Sequence, residues 1–563
     1  MKILLLHCDY IRFKPLKKAL KNIGELSEID KTKKEVKEVL VVLIAVEKND
    51  SNTEVISEKL ASEIKNIAKQ VNAKNIVLYP YAHLSKNLGS PEMAVRTLNE
   101  TEKKLKNTLK VIKAPFGYYK EFELKVKGHP LSELSREIYA EGKEKYDVKQ
   151  LLREISKSKL DTSKLKENDH RIIGKQMDLF SFNDVAPGMV FWHNNGLIIR
   201  DELIGFSKEI LREHNYEIIS TPEIMDKRLW QISGHWDKYK ENNFSTEYEK
   251  RRFLIKPMNC PGGMLVYKNS TKSYRDLPLR VGEFGIVHRQ ELSGVLAGLF
   301  RVIQFIQDDA HVFCTEQQLE KEINELIDLM TFFYNKFNLS YRIELSTRPE
   351  KRIGSDRIWS KAEKTLEKVL KKRKIEFKLN KGEGAFYGPK IDFYVRDSLN
   401  REWQLGTIQL DFSMPERFNL EYIDKDNSRK RPVMLHRAIY GSLERFIGIL
   451  IEHYNGRFPT WLAPIQVRIL SFTDKNKVYA EKIIDKLKNE IKDLRLDFDL
   501  RSTTVQAKVK DAEIMRIPFV IVVGNREEKE KTLAIRTKGS KKIENIKIDE
   551  LIKKLKKEIS ERK

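Results

Sequence analysis

GEFGIVHRQELSG (282–294) and HRAIYGSLERFIGILI (436–451) are the stretches whose reading decides the fold. In the first, a strand-like run delivers Arg289 at its end, and a loop with Glu291 follows. In the second, small residues lead into a strongly apolar helix that opens on Arg445. The sequence has no GxxxxGK[ST] phosphate loop, and no GxGxxG follows a strand convincingly. Any ATP chemistry must therefore hold phosphate by side chains. Arginine suits that task, because its planar fork binds phosphate oxygens in pairs and keeps its charge. Taken alone, each arginine reads as an ordinary surface or salt-bridge residue.

Around these stretches the chain of 563 residues is too long for one core. Residues 1–140 read as a small α/β domain. Its strand-like runs are ILLL (3–6), VLVVLIAV (39–46), NIVLYP (75–80) and YYKEFELKV (118–126), and SEKLASEIKNIAKQV (57–71) has helical spacing. Residues 141–168 are charged, lack glycine and proline after Gly142, and read as a helical linker. Residues 169–460 hold most of the motifs. Residues 464–563 alternate strands with a helix from Asn476 to Leu494 and form a second α/β module. Its tail, from Lys541, reads as an amphipathic basic helix with a solvated face.

The net charge is +24, which suits a polyanionic partner but also fits a Lys- and Glu-rich proteome. Three cysteines, Cys8, Cys260 and Cys314, argue against a disulfide framework and for a reducing cytoplasm. No stretch approaches the roughly 18 apolar residues of a membrane helix, so a soluble protein without a membrane partner is expected.

The Arg-x-Glu after a strand, followed by Gly-x-x-x-Arg opening a buried helix, resembles motifs 2 and 3 of class II aminoacyl-tRNA synthetases. DELIGFSKEILREHNYEIISTPEI (201–224), ending its strand at Pro222, resembles motif 1, which forms the subunit interface in that class. Six longer stretches narrow the likeness. They are 169–196, KPMNCPGGMLVYK (256–268), RVIQFIQDDAHVFC (301–314), GAFYGPKIDF (384–393), WQLGTIQLDFSMPERF (403–418) and HRAIYGSLERF (436–446), and they resemble threonyl-tRNA synthetases. The resemblance implies a multidomain α/β and α+β protein built on the class II antiparallel sheet. It also implies a homodimer that takes ATP with Mg²⁺, L-threonine and tRNA(Thr).

By that resemblance Arg289 grips the α-phosphate and Arg445 the γ-phosphate. Glu291 and Phe305 lie at the adenine, and Arg301, Gln404, Thr407 and Gln409 complete the pocket. Asp309 takes the amino acid's ammonium group, with Gln307, Tyr387 and Lys390 around it. Cys260, His311 and His436 fall at the family's zinc positions. Their spacing alone supports no metal: the cysteine reads as a buried apolar residue and the histidines as ordinary hydrogen-bonded ones. Cys314 matches no ligand position and is assigned to packing.

The N-terminal stretches YPYAHLS (79–85), KAPFGYYKEF (113–122) and GHPLSELSR (128–136) resemble the archaeal type of editing domain, related in fold to D-aminoacyl-tRNA deacylases. Matching positions put His83, Tyr119, Lys120 and Glu133 in its pocket, with Phe116 and Tyr118 nearby. The core stretches HRQELSG and QDDAHVFC are closer to the widespread bacterial-like core. The last hundred residues resemble the anticodon-binding domain of this class, with Glu527 and Arg536 at base-reading positions. Ser502 and Lys510 stand where the family has Asn and Arg. Rival readings are a class II synthetase for proline or serine, a non-catalytic synthetase-like regulator, and a structural nucleic-acid-binding protein.

Overall fold

The computed structural model describes residues 1–20, 23–139, 152, 165–238, 242–540 and 542–562. The helical linker expected over 141–168 lies outside the described residues except at 152 and 165–168. Two units divide the chain, Met1–Leu152 and Arg153–Lys563.

In the first unit, strands β1 (Lys2–Lys18), β2 (Lys34–Ala45), β3 (Asn75–Pro80), β4 (Lys110–Lys113) and β5 (Tyr118–Val126) form one sheet in the order β4-β3-β2-β1-β5. A sixth strand, β6 (Glu133–Glu137), also pairs with β1. Strand β2 is apolar at nearly every position because both its faces are covered. Leu40, Val42 and Ile44 meet helices α1 (Thr53–Gln70) and α2 (Pro91–Leu105), while Val39, Val41 and Leu43 pack with Phe13 and Tyr79 on the other side. Strand β1 runs far beyond the expected ILLL, because its second half is apolar only on alternate residues.

The second unit is built on an eight-stranded sheet. Its strands are β7 (Tyr216–Ile218), β8 (Leu279–His288), β9 (Gln304–Cys314), β10 (Ser340–Ser346), β11 (Phe377–Asn380), β12 (Lys390–Arg396), β13 (Glu402–Asp411) and β14 (Val433–Ser442). Their order is β11-β10-β12-β13-β14-β9-β8-β7. The six inner strands are antiparallel, as expected, and the two edge pairs, β10·β11 and β7·β8, are parallel. Helices α3 (Asn194–Glu213), α5 (Leu319–Lys336), α6 (Asp356–Lys372) and α7 (Leu443–His453) cover one face. Helix α4 (Cys260–Lys268) lies over the other. Alternation along β9 sends Ala310, Val312 and Cys314 into the helix-covered core, so Cys314 is a packing residue. Asp309, His311 and Phe313 point the opposite way.

A five-stranded sheet closes the chain, with β15 (Val467–Ser471), β16 (Leu496–Asp499), β17 (Phe519–Val523), β18 (Leu533–Thr537) and β19 (Ile543–Ile546) in the order β16-β15-β17-β18-β19. The helix expected from Asn476 spans Lys477–Glu490. The basic tail departs from expectation. Residues 543–546 are strand β19, and the helix that follows (Ile548–Ser560) buries Leu551, Ile552 and Leu555 in the core of this sheet. Its lysines are solvated, but its apolar stripe is structural.

Candidate active site

The face of the large sheet opposite its main helices holds a cavity of about 230 Å³, lined by Cys260, Arg289, Gln307, Asp309, Tyr387, Lys390, Thr407, Gln409 and His436. Each side chain arrives there for a local reason. Gln307, Asp309 and His311 are alternate residues of β9, and His436 is the direct cross-strand partner of His311 on β14. Cys260 is the first residue of α4, whose close approach needs small residues: a Cβ on Gly263 would stand 3.3 Å from His311 Nδ1. Gly441, at φ +72°, turns β14 beside the cavity, where a Cβ would meet the Leu405 carbonyl at 2.9 Å.

Cys260, His311 and His436 are all buried, and one donor atom from each lies within 4.8 Å of the other two. Burial pushes the Cys260 thiol well above its ordinary pKa and His311 well below its own. Nε2 of His311 is buried with no hydrogen-bond partner. Such an orphan costs about 1–3 kcal/mol unless a ligand meets it. His436 Nε2 lies 2.9 Å from Asp411 Oδ2, which orients the ring and leaves Nδ1 as its free donor. One sulfur and two imidazoles, dry and converging, are compatible with zinc. The other acid–histidine group, Asp169, His170 and Glu452, is taken by protein partners. His170 Nδ1 meets Glu452 at 2.7 Å, its Nε2 accepts from the Leu299 N–H at 3.0 Å, and Arg171 and Arg401 bind the carboxylates.

Beside this cluster the charge is positive. Arg289 donates to the Pro257 carbonyl at 3.1 Å and stacks its guanidinium 5.1 Å from the centre of the Phe305 ring. Arg445 donates to the Phe300 carbonyl at 2.9 Å. Burial, with Arg301 and Arg289 close by, draws Arg445 below its ordinary pKa, while Glu291 opposes them. Glu291 itself holds Arg301 at 2.9 Å. Such a field attracts a polyanion. Burial raises the pKa of Asp309, and His436 and Arg437 pull it back down.

Gln404 and Thr407 both donate to a residue the sequence reading missed, Asp392, at 2.8 and 3.1 Å. Gln409 donates to the Gly388 carbonyl at 3.0 Å. Asp411 was missed as well. Asp392 stands in the largely apolar β12, and Asp411 ends β13 between Leu410 and Phe412; an acid among apolar neighbours is the signal that could have found them.

In the first unit a cavity of about 460 Å³ is lined by Tyr79, Tyr81, His83, Phe116, Tyr118, Tyr119, Lys120 and Phe122, among others. Lys120 Nζ donates to the carbonyls of Pro115 (2.8 Å) and Tyr118 (3.0 Å) and lies over the Tyr79 ring. Burial pushes its pKa down to about 8. Glu133 is exposed on β6 and does not line this cavity, so the structure separates it from His83, Tyr119 and Lys120. In the C-terminal sheet the Glu527 carboxylate accepts from the Gly524 N–H at 2.9 Å and caps its own helix, while Arg536 pairs with Glu513 at 3.2 Å. Ser502 donates to Asp474 at 2.9 Å.

Comparison with known proteins matches three successive families. Residues 1–138 match the archaea-specific editing domain of threonyl-tRNA synthetase. Residues 243–454 match the class II tRNA synthetase core domain (G, H, P, S and T), and 466–558 the anticodon-binding domain. The threonine–tRNA ligase of Caldanaerobacter subterraneus is 49% identical over 430 residues, 75% of this chain and 66% of that protein. That of Thermotoga neapolitana is 51% identical over 398 residues, 70% of this chain and 62% of the relative. The chain thus spans slightly under two thirds of these curated relatives. The solved RNA-binding domain of threonyl-tRNA synthetase from Cryptosporidium parvum superposes with a TM-score of 0.67 at 38% identity, covering 69% of this chain and 98% of that one.

Proposed function

We infer the function from one premise: this chain belongs to the threonyl-tRNA synthetase family. The chain activates L-threonine with ATP, transfers it from the adenylate to the 3′ end of tRNA(Thr), and clears mischarged Ser-tRNA(Thr) in its N-terminal unit. The observation that carries this reading is the meeting of Cys260, His311 and His436 with Arg289 and Asp309 around one cavity.

In activation, a carboxylate oxygen of threonine bonds to the α-phosphorus of ATP, and the bond to pyrophosphate breaks. No protein nucleophile is needed. Arg289 holds the α-phosphate and Arg445 the γ-phosphate, fixed beforehand by the carbonyls of Pro257 and Phe300. They stabilise the charge that builds at phosphorus, together with Mg²⁺ carried by ATP. Phe305 and Glu291 receive the adenine, Arg301, Gln404, Thr407 and Gln409 line the nucleotide path, and Asp309 takes the ammonium, with Gln307, Tyr387 and Lys390 about it. Cys260, His311 and His436 would hold zinc, which would supply a Lewis acid for the amino and hydroxyl groups of threonine. Valine lacks the hydroxyl, and a site built for a hydroxyl rejects such an analogue by about 10⁴-fold.

Serine keeps both groups and lacks one methyl, worth only about 1–3 kcal/mol, so accuracy needs a hydrolytic site. His83, Tyr119 and Lys120 around the N-terminal cavity suit that task, and Glu133 joins it only if it is brought there. We place the functional boundaries at 1–140 for editing, 141–168 for the linker, 169–460 for activation and 464–563 for anticodon reading by Glu527 and Arg536. A cytoplasmic homodimer of archaeal type completes the reading. No helix among the described residues is long and apolar enough to cross a membrane.

ATP–pyrophosphate exchange with threonine, serine, valine and proline, run beside zinc analysis, tests this reading. Exchange with threonine and serine but not valine or proline, at one zinc per chain, is the expected result. Undiminished threonine-dependent exchange in a zinc-free Cys260→Ser variant would refute the metal role. Removal of residues 1–140 should spare threonylation and let Ser-tRNA accumulate.

A further inference from the structure

Asp392 is a buried carboxylate in the middle of β12 with four side-chain donors on it. Ser346 Oγ stands 2.7 Å and Lys390 Nζ 2.8 Å from Oδ2, while Gln404 Nε2 at 2.8 Å and Thr407 Oγ1 at 3.1 Å share Oδ1. The donors come from three adjacent strands, β10, β12 and β13.

Regular pairing would not produce this convergence. Gln404 and Thr407 are three residues apart on one strand, and strict alternation would send them to opposite faces. The register runs Asp392↔Thr407, Phe393↔Gly406, then Tyr394↔Gln404, so Leu405 is an extra residue in β13. That bulge turns Gln404 back toward Asp392. A valine at 392 would suit a strand interior at lower desolvation cost. The acid instead balances Lys390, whose ammonium reaches the rim of a cavity already rich in arginine charge.

We propose that Asp392 is the positioning residue of the activation pocket, holding Lys390, Thr407 and Gln404 in the orientation in which they meet ATP and threonine. The role rests on the activation reaction proposed above. Asp392 touches no substrate and acts through the groups it holds.

The test is a double-mutant cycle on the full chain: Asp392→Asn, Lys390→Met and the double variant, each assayed by threonine-dependent ATP–pyrophosphate exchange, zinc content and unfolding midpoint. Asparagine keeps Oδ1 as acceptor for Gln404, Thr407 and the longer 3.1 Å contact of Lys390, but removes the charge and sets an amide NH₂ against the Lys390 ammonium and Ser346 hydroxyl at the Oδ2 position. Asp392→Asn should lower kcat about tenfold or more with little change in KM for ATP, and keep its zinc. The double variant should be no slower than Lys390→Met within about threefold, since both changes break one unit. Unchanged kcat in Asp392→Asn, or losses that multiply in the double variant, would overturn the role. If the asparagine variant does not fold, Asp392→Glu, which moves the charge by one methylene, is judged by the same criteria. A wild-type chain without threonine-dependent exchange removes the proposed function and this role together. An active wild type with an unaffected Asp392→Asn removes the role alone.

Discussion

Replacing Asp411 by asparagine probes the proposed zinc site without touching any of its three proposed ligands. Asp411 is fully buried and its two oxygens do separate jobs: Oδ1 accepts from the N–H groups of Ser413 (2.7 Å) and Met414 (2.9 Å), while Oδ2 faces His436 Nε2 at 2.9 Å. Asparagine can keep its oxygen on the two backbone donors, so the turn into residues 413–417 survives. The amide NH₂ then points at His436, and two donors cannot share that contact. The imidazole must move its proton to Nδ1, the nitrogen left for the metal. Loss of such an outer partner costs about 10–100-fold in metal affinity, or about 1.4–2.7 kcal/mol, and a tautomer opposed outright belongs at the upper end. Chelator competition with zinc quantified by mass spectrometry reads this directly. Threonine-dependent exchange should fall in parallel and return with added zinc. An Asp411→Asn chain that holds zinc as tightly as the wild type would refute the orientation argument, and zinc-independent loss of exchange would move Asp411 into a purely structural role.

Four further outcomes follow from the structure. Burial pushes Glu444 up to about 7, and its carboxyl accepts from the Ile306 N–H. A raised folded pKa means stability that is complete below about pH 4 and lost as pH rises through 7, up to about 3 kcal/mol. Glu444→Gln should therefore flatten the pH dependence of urea unfolding between pH 5 and 8, and an unchanged slope would dismiss this acid. Lys120, lowered to about 8, is set in carbonyls that favour its ammonium, so hydrolysis of Ser-tRNA should decline above pH 8; a rise there would assign the neutral amine as base. Lys120→Met should slow that hydrolysis by about tenfold or more with threonylation intact, measured by deacylation of preformed Ser-tRNA(Thr). Gly441→Ala should lower exchange, because the added Cβ meets the Leu405 carbonyl at 2.9 Å on a left-handed backbone; wild-type kinetics would show that β14 can bend there without glycine.

What the sequence made legible follows from where each signal sits. Runs such as VLVVLIAV declare a strand buried on both faces, and Arg289 and Arg445 stand out because a strand end and a helix start frame them. The second half of β1 escaped because residues buried on one side alternate with lysine, arginine and tyrosine. Cys260, His311 and His436 had no short spacing to read, since a helix start and two strands distant in sequence supply them and only the paired sheet joins them. Glu133 matched a pocket position by likeness but lies exposed on a neighbouring strand, a difference no local pattern could reveal. Asp392 and Asp411 lie in stretches read only for their likeness, although an ionisable group among apolar neighbours signals a task other than packing.

If Cys260, His311 and His436 hold zinc as proposed, the pairing of His311 with His436 makes that site a check on the fold itself. A slip of one residue between β9 and β14 would turn one imidazole into the helix-covered core, and the cluster would not exist. The ion can be captured only after two distant strands have zipped in the right register. On the proposed zinc role, loading would follow sheet formation, unlike the small metal domains whose ion gathers an unfolded chain. The apo chain should keep its architecture, and zinc uptake during refolding should trail the recovery of native secondary structure.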